Sequence, residues 1–516
     1  MRNQVHLRLQ ISAQSAEKQA PEERVRNWEE VYQGFDLERA RIEAARCIHC
    51  PTTPCVAACP VHNDIPTALG LLERGDVLGA AAVFRQTSTM PEMCGRLCPQ
   101  ERLCEGDCPV GFAIRPDGRQ EPPVSIGKLE AFVADQQRAR LGGFPLPETP
   151  APPTGRRVAV VGSGPSGLTV AELLALRGHT VTVYEQRHEP GGALAHGIPP
   201  FKLAREILRQ KLRHLTLLGV DFICNTRVGR DVTIDELLRE HDAVYLGIGA
   251  GMDAPARLPG ETELQGIVPV TEFLLRANAG VGHLLATYHP HRPPHAVVPA
   301  ARGPRVVVLG GSDAAMDAMR AALRLGAASV TCLFEGTAEE LHGRREEHEH
   351  AREEGVTFRY RVRAVAFEGD ARGRVTGVRC RRLGWDEAER RGPQRAFGMG
   401  EGEFVVPADL VIVALGYVPD PLLTDPRTGL QTGPDGRLLV DPQTGHTSRP
   451  GVFAGGDGVH GPDLVVTAIA AGRRTAAAID AYLRSLDDGH AAVNAPQLAP
   501  PGRQPRRRGR RWWFGR

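Results

Sequence analysis

The chain has 516 residues, 41% of them hydrophobic and 24% charged, with a formal net charge of +2 and 11 cysteines. That length allows about three domains; no run approaches the ~18 apolar residues of a transmembrane helix, and the polar start lacks the apolar core of a signal peptide. Seven arginines between 503 and 516 produce the positive sign, and without them the body stands at −5, which argues against a nucleic-acid-binding domain.

In chain order, residues 1–21 form an N-terminal extension without a clear pattern. Residues 27–46 read as helical, with Trp28, Val31, Tyr32, Phe35 and Leu37 at the apolar positions. Residues 47–110 are cysteine and proline loops around a short helix over 65–84, and a further helix is expected over 124–140. The stretch 141–156 is a Pro/Gly linker. A strand (RVAVVGSG) opens at Arg157, followed by a helix over 166–177 and a second strand (TVTVYE), which makes a βαβ unit. A second unit begins at Arg305: RVVVLGG, a helix over 313–325, then SVTCLFE. Residues 279–304, rich in His and Pro, read as a loop. A buried strand (ADLVIVALG), a hairpin region, GVFAGGD and a helix over 463–483 follow. Residues 487–516 read as a basic, disordered tail.

Eight of the cysteines fall in two groups: Cys47, Cys50, Cys55 and Cys59, then Cys94, Cys98, Cys104 and Cys108. Without an export signal, such cysteines point to metal or redox chemistry in the cytoplasm, not to disulfides. Short-spaced thiolates interrupted by Cys-Pro are how a chain wraps iron–sulfur clusters. Cys47, Cys50 and Cys55 can converge on one cluster. Cys59, before a proline, is expected to serve another, as in two-cluster ferredoxins, and Cys108 to reach back to the first. Zinc is the competing chemistry, but zinc ribbons favour two separated Cys-x2–4-Cys pairs, which runs of four match less well. His49, inside the first group, reads as a loop residue.

Gly162, Gly164 and Gly167 form a GxGxxG between strand and helix. There backbone N–H groups can approach a pyrophosphate. Glu185 ends the next strand, where a carboxylate binds ribose hydroxyls. With Gly192 in a Pro-Gly-Gly and Asp457 in the late GVFAGGD, this set points to FAD. The second loop, Gly310-Gly311-Ser312-Asp313-Ala314-Ala315, is a degraded GxGxxA with Ser312 at the usual close-approach glycine. Glu335 after its second strand suits the free 2′-hydroxyl of NADH; a 2′-phosphate would want Arg or Lys.

With these motifs in place, the chain resembles the small subunit of bacterial glutamate synthase. It equally resembles the large subunit of bifurcating NADH-dependent ferredoxin:NADP oxidoreductase and the N-terminal half of dihydropyrimidine dehydrogenase. The resemblance spans about 22–485. It rests on the cysteine runs, Gly-Arg-Leu-Cys-Pro-Gln-Glu (95–101), Ser-Ile-Gly-Lys-Leu-Glu-Ala-Phe (125–132), Gly-Ile-Pro-Pro-Phe-Lys-Leu (197–203), Arg-Arg-Glu (344–346) and Gly-Pro-Asp-Leu-Val-Val (461–466). It implies one [4Fe-4S] cluster on Cys47, Cys50, Cys55 and Cys108. It implies a second on Cys59, Cys98 and Cys104, with Glu130 aligned to a non-cysteine fourth ligand and Cys94 as the alternative. It also implies nicotinamide contacts from Gly310, Ser312, Asp313, Ala315, Arg344 and Arg345. Relatives using NADPH carry Arg-Arg or Arg-Lys where this chain has Glu335-Gly336, and Gly where it has Ser312, so NADH is expected over NADPH.

The expected fold is α/β: two Rossmann-like dinucleotide-binding domains preceded by an α-helical iron–sulfur domain. The helical domain spans 22–145. The FAD domain takes 155–300 and 426–486, the NAD(P)H domain 301–425, and the tail 487–516. The expected function is an iron–sulfur flavoprotein that passes electrons from NAD(P)H to a partner redox subunit, either a glutamate synthase large chain or another flavoprotein. Hydride transfer between bound cofactors needs no general base. His179, His196 and His214 read as surface or packing residues. A flavin disulfide reductase is rejected, because only Cys224, Cys332 and Cys380 remain outside the clusters and they lie far apart. A cluster-bearing docking subunit without nicotinamide turnover is the alternative of another class, with Ser312 as its support. The Arg/Trp tail is a candidate contact with acidic protein or lipid.

Overall fold

The computed structural model describes residues 2–115, 118–279, 303–384, 402–421 and 425–487. Most of the expected loop over 279–304 and the tail lie outside them.

Apolar runs buried on both faces form two parallel sheets, as helix-covered sheets require. The first has the order Val452–Ala454, Ala243–Leu246, Arg157–Val161, Thr180–Tyr184, Asp221–Ile223, all parallel. The second has the order Thr357–Tyr360, Ser329–Phe334, Arg305–Leu309, Leu410–Val413, Ile267–Pro269, again all parallel. In each, the strand before the glycine loop pairs with the strand after the following helix: Val160 lies opposite Val183, and Val308 opposite Cys332. The second sheet recruits Ile267–Pro269, and the helix Val270–Ala279 packs with it. These segments precede the expected boundary at 300/301, because the short strand is too weakly patterned to be read from sequence. An antiparallel sheet of Val362–Gly369, Val375–Arg382 and Phe404–Pro407 completes this unit.

The helical region departs from expectation in three places. The helix expected over 65–84 is two, Ile65–Glu73 and Val77–Arg85. Gly75 takes φ +87°, and the Asp76 side chain accepts from the Gly79 N–H at 2.9 Å, which starts the second helix afresh. The helix expected over 27–46 begins only at Leu37, capped by Asp36, which accepts from the Arg39 N–H at 2.8 Å. Before it, Tyr32–Gly34 pairs antiparallel with Glu17–Lys18. The extension, without pattern in sequence, forms a helix over Arg2–Leu9.

One apolar core runs from the cysteine domain into the first parallel-sheet unit and holds Cys55, Cys59, Cys98 and Cys108 together with Val160, Leu168 and Ile469. The helix Val465–Asp487 lies along Pro165–Ala175 and also touches Pro91–Leu97 of the cysteine domain. The second unit joins through buried charge: Arg24, Arg320 and Arg324 all donate to Glu354.

Candidate functional site

The loop from Cys47, the helix Pro54–Ala58 and the turn at Pro109 surround one cavity. Its walls include Cys47, Cys50, Cys55 and Cys108 beside Ile65 and Ile126. Burial pushes the Cys47 thiol up to about 11 and the Cys55 thiol up to about 12; Cys47 feels the charge of Cys108 and Cys50, and Cys55 that of Cys47, Cys108 and Cys50. Cys47, Cys55 and Cys108, raised by burial, favour the neutral thiol unless a metal compensates the thiolates. Cys59, Cys98 and Cys104 form a second buried set. The carboxyl of Glu130, on the helix Ile126–Leu141, acts electrostatically on all three. Glu130 is itself buried, accepts from Asn63 Nδ2 at 3.2 Å, and is held by that burial well above the usual carboxylate range. Cys94 lies one helical turn before Cys98, so their contact follows from the helix period; its sulfur sits 3.6 Å from the Ser88 hydroxyl. Among the described residues, no three His, Cys, Asp or Glu side chains converge as ligands of a single metal ion. Zinc thiolates would stand only ~4 Å apart, given Zn–S bonds of ~2.3 Å. The two sets adjoin, since Cys104 feels Cys55.

The first glycine loop is built for close approach. A Cβ on Gly162 would strike the Gly247 carbonyl at 2.4 Å, and one on Gly167 would strike the Gly162 carbonyl at 2.0 Å. A Cβ on Gly164 would meet nothing within 4 Å, so space is open where a pyrophosphate would lie. Gly192, at φ +54°, rests on this loop: a Cβ there would stand 2.7 Å from the Gly164 Cα. The Glu185 carboxylate accepts from the Ser163 N–H at 3.1 Å and the Arg187 N–H at 2.9 Å, which fixes it at the strand end. Asp457 lines a cavity of about 300 Å³ with Ile248 of the same unit and Tyr417 of the second. Burial pushes its carboxyl up to about 7. These residues fit an FAD.

In the second loop Gly310 takes φ +121°, and a Cβ would strike the Ala414 carbonyl at 2.2 Å. Ser312 caps the helix Asp313–Arg324 by accepting from the Ala315 N–H at 3.4 Å, a role glycine cannot fill. Asp313 accepts from the Arg344 N–H at 3.0 Å. The Arg344 side chain, expected at the nucleotide, is buried. It donates to the Arg96 carbonyl at 2.5 Å and to Gln100 Oε1 at 3.0 Å, and so ties this unit to the cysteine domain. Arg345 is exposed. Glu335 is not alone: Arg363 grips both its oxygens, at 3.1 and 2.9 Å.

The three histidines are all buried packing residues. His179 meets Asp480 at 3.0 Å, His196 the Glu189 carbonyl at 2.9 Å, and His214 Glu172 at 3.1 Å. Sequence reasoning missed Arg8, Arg363 and Arg473, whose partners lie far along the chain. Only a long-range contact, not a spacing, reveals them.

Residues 24–141 match the family described as dihydropyrimidine dehydrogenase domain II, 4Fe-4S cluster, and residues 156–472 match pyridine nucleotide-disulphide oxidoreductase. The chain is 38% identical to the glutamate synthase [NADPH] small chain of Escherichia coli (strain K12), over 88% of this chain and 93% of that one. The chain belongs to the glutamate synthase small-chain family. The small chain of Azospirillum brasilense glutamate synthase [NADPH] is also 38% identical, over 93% of this chain and 96% of its own. The structure of FprA from Mycobacterium tuberculosis in complex with NADPH shares the fold, with a TM-score of 0.51, at 20% identity over 65% of this chain and 86% of that one. This small-chain-like protein is an iron–sulfur flavoprotein oxidoreductase that depends on NAD(P)H and FAD. Among the described residues no helix is long and apolar enough to cross a membrane.

Proposed function

We propose that this chain is the electron-input subunit of a two-part enzyme. It oxidises NADH in preference to NADPH and delivers electrons through two [4Fe-4S] clusters to a partner of glutamate synthase large-chain type. The observation that carries the reading is that members of both cysteine sets share one apolar core with Val160 and Leu168, which flank the FAD-type loop. When bound, FAD converts a two-electron donor into single-electron steps, and the clusters relay them.

Cys47, Cys50, Cys55 and Cys108 hold the first cluster, around the cavity they line. Cys59, Cys98, Cys104 and Glu130 hold the second. Glu130 is favoured over Cys94 because it acts on all three cysteines from a separate helix, whereas Cys94 acts on Cys98, one helical turn away, and on Cys59. Gly162, Gly164, Gly167 and Gly192 leave the backbone room for FAD, with Glu185 at its ribose and Asp457 by the cavity. Gly310, Ser312, Asp313, Ala315, Glu335 and Arg345 surround the nicotinamide nucleotide. The relatives' names give NADPH; the preference for NADH here rests on Glu335.

Anaerobically purified protein is expected to contain about eight iron atoms and one FAD, to reduce a dye with NADH, and to be retained by a glutamate synthase large chain. Stoichiometric zinc without iron would overturn the cluster reading. FAD binding without oxidation of either nucleotide would favour a docking subunit.

A further inference from the structure

The iron–sulfur family match begins at residue 24, yet the residues before it are built into the cysteine domain. Arg115 donates to the Leu9 carbonyl at 3.1 Å and to the Ile11 carbonyl at 2.8 Å. The Ala13 N–H donates to Glu121 at 3.0 Å and the Gln14 N–H to Glu43 at 2.7 Å. Glu17–Lys18 then pairs with Tyr32–Gly34. The segment is a strap with several fastenings, and Arg8 is the residue it delivers.

Arg8 Nη1 donates to the Ala45 carbonyl at 2.7 Å and to the Cys47 carbonyl at 3.1 Å. Its Nη2 reaches both Glu73 oxygens at 2.9 Å. Arginine keeps its charge at every working pH. A permanent cation is therefore fixed on the backbone of the first cysteine, and its charge is felt at the Cys47 sulfur. Reduction makes a cluster more negative, so a nearby cation favours the reduced state, and a nearby carboxylate opposes it.

We infer that Arg8, delivered by the N-terminal strap, raises the reduction potential of the cluster held by Cys47, Cys50, Cys55 and Cys108, with Glu73 as its counter-charge. The inference rests on that proposed ligand set. Arg8 acts by its charge, fixed on the backbone of the cluster's ligand loop, and is not itself a ligand.

The test is an anaerobic redox titration of the full-length holoprotein followed by electron paramagnetic resonance, at about pH 8.5, above ordinary imidazole titration, so that His49 is neutral in every variant. The signal lost in Cys47→Ser identifies the cluster. In Arg8→Met its potential should fall, changing the reduced-to-oxidised ratio about tenfold at a fixed applied potential. In Glu73→Gln it should rise, because the cation is uncovered. Arg8→Lys should restore most of the Arg8→Met shift. The FAD and the other cluster should not move. Opposite shifts from the two halves of one ion pair separate a charge effect from loosening of the strap, which would move both variants the same way. Equal potentials, or shifts of the same sign, would overturn the inference. If Arg8→Met loses its cluster, Glu73→Gln decides: an upward shift supports the inference, and no shift or a downward one overturns it. A full iron content in Cys47→Ser would instead overturn the ligand assignment, and the inference with it.

Discussion

The guanidinium of Arg473, on the helix Val465–Asp487, donates to the Val61 carbonyl at 3.2 Å, two residues beyond Cys59. The same helix begins eight residues after Asp457 and so links the FAD-type loop to the second cysteine set. Arg473 and Cys59 also interact electrostatically. Arg473→Met should leave reduction of FAD by NADH unchanged and slow the subsequent reduction of the clusters several-fold. Stopped-flow absorbance at flavin and cluster wavelengths checks this. Equal slowing of both phases would show that the contact holds the fold together rather than the relay.

Ligand substitutions should separate the two cysteine sets. Cys47→Ser and Cys98→Ser should each remove about half the iron, and the residual signals should differ. Cys94→Ser should keep the full iron content, and Glu130→Ala should destabilise the cluster that Cys98→Ser destroys. Iron analysis with resonance spectroscopy reads this out. Loss of iron in Cys94→Ser together with retention in Glu130→Ala would exchange the two assignments.

On the proposed reading, nucleotide choice is set by a pair, not by one carboxylate. Arg363 neutralises much of the Glu335 charge. Repulsion of a 2′-phosphate is therefore weaker than a lone carboxylate would exert. NADH should be preferred by about tenfold in kcat/KM, the scale of one exposed polar contact. Arg363→Ala should widen the preference by uncovering Glu335. Glu335→Gln should narrow it by leaving Arg363 to meet the phosphate, and Glu335→Arg should reverse it. Equal kcat/KM for both nucleotides in the unsubstituted protein would sink this account.

The cysteine groups and both glycine loops were legible because their chemistry demands fixed spacings. A βαβ unit around GxGxxG announces its strands by apolar runs, and the strand bounds at Arg157–Val161 and Arg305–Leu309 follow. Helix breaks were less legible. Asp36 and Asp76 are cap residues preceded by a glycine one or two positions earlier, a readable stop-and-start signal outweighed by the apolar periodicity on either side. Ile267–Pro269 is three residues long and gains its place only by pairing with Leu410–Val413. The domain-tying contacts of Arg344 are illegible in the sequence for a similar reason. Its partners, Arg96 and Gln100, lie 244 or more residues away, and no spacing encodes them.

Acid should loosen the second nucleotide unit. Burial pushes the Glu354 carboxyl up, but hydrogen bonds and charge from Arg320 and Arg324 outweigh it and hold it down at about 2, against an ordinary 4.5. Arg24, from the start of the cysteine domain, joins the same carboxylate at 2.8 Å. A carboxylate whose folded pKa is depressed stabilises the fold above its unfolded value, and that stability is lost as pH falls through the folded one. The window here runs from about 4.5 down to about 2, and the contribution at stake is on the order of 3 kcal/mol. Urea unfolding should therefore show a clear loss of stability between neutral pH and about pH 3. Glu354→Gln should be less stable at neutral pH, because Arg324 loses its carboxylate while Arg24 keeps Glu353 and Arg320 keeps Glu347, and it should lose less on acidification. An unchanged pH slope in Glu354→Gln would show that other carboxylates carry the acid sensitivity.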